Sequence, residues 1–138
     1  MSTEPKQVIV VRKRYPDGRG GYYRPRTGKL MAQAAHASMK VFFDRGVVYS
    51  SLGKLAIELT EPMIKWVNGI FAKIVVGCNS EEELINLAQA AADANIPHAL
   101  ITDVGRTEFH GEPTVTALAI GPDYPEKIDP ITGGLKLL

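Results

Sequence analysis

The run Gln7-Val-Ile-Val-Val-Arg12 constrains the fold more than any other stretch, because it lacks the polar alternation of a strand with one wet face. Its unbroken apolar residues suit a strand buried on both sides, in the middle of a sheet that helices cover above and below. Ile70 to Gly77, His98 to Asp103 and Thr114 to Gly121 read as three further strands. Thr60 caps a helix with Pro62 in its first turn and Gly69 at its end. Asn79 or Ser80 caps another over about 80 to 94, where Glu81, Glu82 and Glu83 suit the positive end of the helix dipole and Asn95 suits a left-handed stop. The expected class is α/β in three layers, a small mixed four-stranded sheet with helices on both faces. The strands flanking the 80 to 94 helix are expected to be parallel through a right-handed crossover, with the last strand antiparallel beside one of them. Residues 47 to 60, interrupted by Ser50-Ser51 and Gly53, are expected to be a loop or short helix.

The stretch from Thr27 to Lys40 predicts a helix continuing to about Gly46, with Thr27 as its cap. Leu30, Met31, Ala34, Ala35, Ala37 and Val41 recur at the spacing of one buried face. At about 100° per residue, Lys29, Gln33, His36 and Lys40 fall within roughly 60° of one another and form a polar stripe. The intervening alanines let the helix approach the sheet closely, which would stand a cation, a carboxamide and an imidazole over the sheet's end or edge. That is a plausible reaction site.

The 138 residues are most simply one domain, residues 1 to 138. The chain is 45% hydrophobic and 22% charged, and no apolar run is long enough to cross a membrane. Met1-Ser-Thr-Glu-Pro-Lys6 carries no apolar signal core, and the single Cys78 cannot form an internal disulfide, so a cytoplasmic location is expected. The net charge of +1 conceals a division: residues 1 to 40 hold nine Lys/Arg against two Asp/Glu, and residues 41 to 138 hold seven against thirteen. Such segregation points either to nucleic-acid phosphates as partner or to a solvated basic loop. Residues 14 to 26 concentrate the charge in an expected long mobile loop, a basic insertion with turns at Pro16-Asp17-Gly18 and Gly20-Gly21. Its Arg19, Arg24 and Arg26, interleaved with Tyr15, Tyr22 and Tyr23, suit gripping phosphates and stacking on bases; an insertion of no function fits the same residues.

Several chemistries are set aside. Gly28-Lys29 lacks both the upstream glycine and the following Ser or Thr of a phosphate loop. His36, His98 and His110 lack metal-site spacing, so no metal or cofactor is expected. There is no Gly-x-Ser-x-Gly elbow, and Cys78 at a strand's end reads as a small core residue rather than a nucleophile.

Blocks along nearly the whole chain resemble the peptidyl-tRNA hydrolase type 2 family: Gly28-Lys29 with Gln33 and His36-Ala37; Trp66, Gly69 and Lys73-Ile74-Val75; Ser80-Glu81-Glu82-Glu83-Leu84; Asp103-Val104-Gly105-Arg106-Thr107; Thr116 with Ala119-Ile120-Gly121-Pro122; and Ile131 to Leu138. The resemblance implies hydrolysis of the ester joining a peptide to the terminal ribose of tRNA, and a homodimer. It implies functional positions at Lys29, Gln33, His36, Asp103, Arg106, Thr107 and Thr116. Three features depart from the family: a longer, arginine-rich connection before Lys29, one extra residue between Thr107 and Thr116, and Gly134 in place of a histidine.

Lacking a credible serine or cysteine nucleophile, such a site would use water directly. Asp103 and His36 would orient or deprotonate it, and Lys29 would stabilise the oxyanion or a nearby phosphate. Gln33, Thr107 and Thr116 would supply hydrogen bonds to the terminal adenosine, the peptide or the catalytic side chains, and Arg106 would pair with Asp103 or bind phosphate. Plainer readings exist: Asp103 as a turn residue, His36 as a structural histidine, Thr116 as a β-former, Arg106 as a surface charge. The rival function is a non-catalytic tRNA- or RNA-binding or protein-interaction module on the same scaffold.

Overall fold

The computed structural model of the chain describes residues 4–104 and 112–138. Strand β1 (Lys6–Arg12) lies inside a four-stranded sheet of order β6-β1-β8-β7, with β6 (Ala72–Cys78), β7 (His98–Asp103) and β8 (Thr114–Asp123). β6 runs parallel to β1, and β8 runs antiparallel to both β1 and β7. The two strands flanking helix α3 (Glu81–Asp93) are therefore parallel, as the sequence predicts, but they occupy opposite edges of the sheet.

Alternation along the central strands builds two cores. Val8, Val10, Leu118 and Ile120 pack with Leu84 and Ala91 of α3 and Ile128 of α4 (Pro125–Thr132). Ile9, Val11, Ala117 and Ala119 face the other way, against Leu30, Ala37 and Val41 of α1 (Thr27–Phe43) and Met63 of α2 (Glu61–Asn68). The result is the expected three-layer α/β arrangement. Helix α4 was not foreseen, since two prolines in eight residues disguise it; both sit where the missing N–H costs little or the helix is ending.

Thr60 and Ser80 cap α2 and α3, their hydroxyls accepting from the N–H groups of Met63 and Glu83. The Glu83 carboxylate also accepts from the N–H of Asn79, the residue before the cap, at 2.7 Å. Asn95 takes the left-handed conformation at φ 59°.

Other expectations need correction. Thr27 is the first residue of α1 rather than its cap; Arg26 holds the cap position, with its carbonyl accepting from Leu30 N at 3.1 Å. Met31 and Ala35 are exposed rather than on the buried face. Residues 47 to 60 contain a hairpin of β4 (Gly46–Tyr49) and β5 (Lys54–Ile57), turned by Ser50–Leu52 and by Gly53 at φ 62°. Its Val47, Val48 and Tyr49 are β-formers whose exposure conceals the signal. Residues 14 to 26 are likewise not an irregular loop: β2 (Tyr15–Pro16) pairs antiparallel with β3 (Tyr22–Tyr23). The Asp17 carboxylate fastens the turn, accepting from the N–H groups of Arg19 and Gly21 at 2.7 and 3.0 Å.

Replacing Ser80 by Ala removes the acceptor for the Glu83 N–H. The expected cost is about 1 kcal/mol, read as a lower urea midpoint with an unchanged m-value.

Candidate active site

Helix α1 runs antiparallel to β7, so its first two turns meet that strand's last residue. Lys29 Nζ donates to Asp103 Oδ2 at 2.9 Å, and Gln33 Nε2 donates to the same oxygen at 2.6 Å. Thr116 Oγ1 in turn donates to Gln33 Oε1 at 2.6 Å. One connected line of hydrogen bonds thus joins β8, α1 and β7. Gln33 is 1% exposed and Thr116 fully buried, while the side chains of Lys29 and Asp103 keep 15% and 11% of their surface. The Thr–Gln portion is therefore internal scaffolding, and the charged pair is the part that reaches solvent.

Thr116 reaches Gln33 because of an irregularity in the sheet. Ile101 pairs with Ala117 and Thr102 with Val115, so Thr116 is an extra residue opposite the β7 step. Strict alternation would put it on the face of Leu118 and Ile120, toward α3; a bulge re-aims it toward α1. No sequence period reports this. The polar stripe expected on α1 is likewise divided. Lys29 and Gln33 turn inward to Asp103, His36 is exposed, and Lys40 pairs with Asp44 at 2.9 Å. Burying Gln33 costs little because both ends of its carboxamide are satisfied.

His36 and Asp103 line one groove of about 570 Å³. Arg106 and Thr107 lie outside the described residues, as does His110. Arg19, Arg24 and Arg26 are exposed on or beside the β2–β3 hairpin. The hairpin is anchored by Tyr15, which is 3% exposed, packs its ring at a tilt against that of Tyr23 with centroids 5.8 Å apart and carries the Arg12 guanidinium over its ring at 4.2 Å. Burial raises the Tyr15 pKa, and the Arg12 guanidinium over the ring opposes the rise. Helix α1 has no acidic side chain in its first turn and no side-chain cap, so its positive end adds to the cationic character contributed by Lys29, Arg24 and Arg26.

Cys78 is 4% exposed, and burial pushes its thiol up to about 11. The group is protonated at neutral pH and is not a nucleophile. Among the described residues no three His, Cys, Asp or Glu side chains cluster to hold a metal ion.

The chain is thus a three-layer α/β protein with a lysine–aspartate pair, reached by solvent, at the C-terminal end of an edge strand. Comparison with known sequences then places it: the chain belongs to the family Peptidyl-tRNA hydrolase PTH2, whose sequence model matches residues 5–138. A peptidyl-tRNA hydrolase of Haloquadratum walsbyi is 41% identical over 133 residues, spanning 96% of this chain and 98% of its own. One from Methanopyrus kandleri is 40% identical over 134 residues, spanning 96% and 97%. A solved structure of a protein of unknown function from Agrobacterium tumefaciens strain C58 matches with a TM-score of 0.55 at 13% identity over 99% of both chains, a likeness of fold alone. Among the described residues no helix is long and apolar enough to cross a membrane.

The Cys78 thiol should react with a water-soluble disulfide reagent at pH 8 at least about tenfold more slowly than the same thiol in the urea-unfolded chain, because burial both shields it and keeps it protonated. Equal rates would mean that the thiol is open.

Proposed function

We propose that this chain hydrolyses the ester bond of peptidyl-tRNA, releasing the peptide and free tRNA through direct attack by water. The observation that carries the reading is the Lys29–Asp103 pair at 2.9 Å, braced by Gln33 and Thr116 and opening onto a groove. A nearly buried ion pair gains little net stability, because desolvation offsets most of its attraction. Its presence beside a cavity is better accounted for by chemistry.

In this mechanism Asp103, with His36 beside it in the groove, orients water and takes its proton. As the ester carbonyl becomes tetrahedral, its oxygen gains negative charge that the Lys29 ammonium stabilises where solvent is sparse. On collapse the bond from the carbonyl carbon to the ribose oxygen breaks, and that oxygen takes the proton held by Asp103. Gln33, held by Thr116, positions the Asp103 carboxylate, which two donors on one oxygen hold in a single orientation. Arg106 and Thr107 belong to the same reading as substrate-binding residues. Arg19, Arg24 and Arg26 bind the tRNA backbone from the hairpin that Tyr15 anchors and from its link to α1. A non-catalytic RNA-binding module would use the arginines but has no need of a braced lysine–aspartate pair, so it is the weaker reading.

The reading includes a single domain over residues 1 to 138, a cytoplasmic location where peptidyl-tRNA arises, and a homodimer. Support for the dimer is the β4–β5 hairpin, whose Val48 and Leu52 are 68% and 65% exposed. Such a two-stranded ribbon is marginally stable without a covering surface. Val48→Asp should shift the mass measured by light scattering toward that of one chain, and a wild type that is already monomeric overturns the dimer.

With a purified N-acetylaminoacyl-tRNA as substrate, Lys29→Ala and Asp103→Asn should each lower kcat/KM by about 100-fold or more while keeping a cooperative melt. Near-normal turnover in both folded variants removes this site from the reaction. Replacing Arg19, Arg24 and Arg26 together by Ala should weaken tRNA binding and lower the slope of log K against log salt by roughly 2. An unchanged slope leaves the hairpin without a role in holding tRNA.

A further inference from the structure

The two edges of the sheet are treated differently by the chain. Along β6, the C-terminal tail covers the outer edge: Val76 bridges to Leu137, Gly77 N donates to the Lys136 carbonyl at 2.9 Å, and Leu138 N donates to the Val75 carbonyl at 3.1 Å. Along β7, the opposite edge, β8 is the only strand paired among the described residues. An edge strand directs alternate N–H and C=O groups away from its sheet, ready to receive another extended chain.

That edge ends in Asp103 and forms one wall of the groove of about 570 Å³, within the roughly 300–1,000 Å³ common for ligand pockets. The facing wall is the second half of α1, which presents Met39 and Phe43, each about half exposed at 53% and 51%. Ile101 and Val104 add apolar surface from the strand side. At the far end Lys40 and Asp44 neutralise each other at 2.9 Å, so the groove carries no strong net charge there. The basic hairpin and α1 N-terminus lie toward the Lys29 end. The two halves of a peptidyl-tRNA, a polyanion and a polypeptide of any composition, would therefore find surfaces of matching character on either side of Asp103.

We infer that the groove between α1 and the outer edge of β7 binds the last residues of the substrate's peptide as an extended strand, hydrogen-bonded to β7 through its backbone. The inference rests on the hydrolase reading and specifies where that site holds its acyl half. From His36 to Asp44 is about 12 Å of helix, enough for about three residues of extended chain. With the ester carbonyl at Asp103, the peptide runs N to C in the direction of β7 and pairs parallel to it. Main-chain pairing makes recognition independent of peptide sequence, while Met39 and Phe43 add a modest preference for apolar side chains.

The test uses a single tRNA carrying four different acyl groups: N-acetyl-phenylalanine, N-acetyl-alanyl-alanyl-phenylalanine, and that tripeptide methylated either on the phenylalanine nitrogen or on the preceding alanine nitrogen. The tripeptidyl ester should show a kcat/KM about 5–10-fold above that of the single residue. One methylated ester should lose most of that gain and the other should keep it, since alternate N–H groups face the strand. Phe43→Ala should shrink the tripeptide advantage about threefold at unchanged molecular mass. Equal kcat/KM for one and three residues, or a gain insensitive to both methylations, overturns the inference while leaving hydrolysis intact. A change of mass in Phe43→Ala also overturns it, by assigning the groove to a second copy of the chain. Failure of the wild type to cleave any of the four esters removes the hydrolase reading itself, and the inference with it.

Discussion

Asp103 Oδ2 accepts from two donors on the same helix, Lys29 at 2.9 Å and Gln33 at 2.6 Å, and this pair of hydrogen bonds to one oxygen is what the site depends on. Lys29 and Gln33 are four residues apart, so they stand one above the other on one face of α1. A carboxylate at the end of β7 can meet both only if the helix axis passes close over the sheet. Alanine provides that closeness: Ala37 on α1 packs against Ala99, Ala117 and Ala119 of the strands, all of them buried. Replacing any of these methyl groups by a larger side chain would lift α1 and lengthen the Lys29–Asp103 distance before it broke the fold. The small-residue core and the polar site are thus one feature seen at two levels.

The arrangement also explains why a glutamine rather than an apolar residue occupies the buried position on α1. Gln33 offers a donor to Asp103 and an acceptor to Thr116, so neither end of its amide is left unpaired. An apolar side chain would bury more favourably but would leave the Thr116 hydroxyl and one carboxylate contact unsatisfied, each at a cost of about 1–3 kcal/mol. The bulge at Thr116 belongs to the same account. Without the extra residue, the hydroxyl would point toward α3 and the line of hydrogen bonds would stop at Gln33.

Much of this fold was legible in the chain because its signals are local. Gln7 to Arg12 announces a central strand by the absence of alternation, Thr60 and Ser80 announce helices by capping chemistry, and Asn95 announces a stop by its tolerance of positive φ. The Lys29, Gln33, Asp103 and Thr116 cluster was named from blocks of resemblance, since residues 74 and 83 positions apart share no local period. What escaped the sequence reading depends on tertiary context. The two hairpins look like loops because their strands are two to four residues long and largely exposed. Tyr15 looks like part of a basic loop until its burial beside Arg12 makes it the anchor of that loop. The inward turn of Gln33 contradicts its polarity, and only the partner on β8 makes it intelligible.

The same logic extends from the site to the distribution of charge over the chain. Much of the excess of Lys and Arg in residues 1 to 40, namely Arg14, Arg19, Arg24, Arg26 and Lys29, falls on the β2–β3 hairpin, its link to α1 and the first turn of that helix. Arg14 lies over the Tyr22 ring at 3.6 Å, and Tyr22 is 59% exposed, so the hairpin presents a cation and an aromatic face together. A single-stranded nucleic-acid end is bound by that pairing of charge and stacking. Past Asp103, α1 presents methionine, phenylalanine and an internally neutralised Lys40–Asp44 pair, which attract no polyanion. A substrate that joins a polyanion to a peptide through one ester has its least ambiguous orientation on such a surface. On the proposed reading, electrostatic steering would bring the nucleic acid to one side, the groove would accept what is attached to it, and the ester would be left over the carboxylate between them.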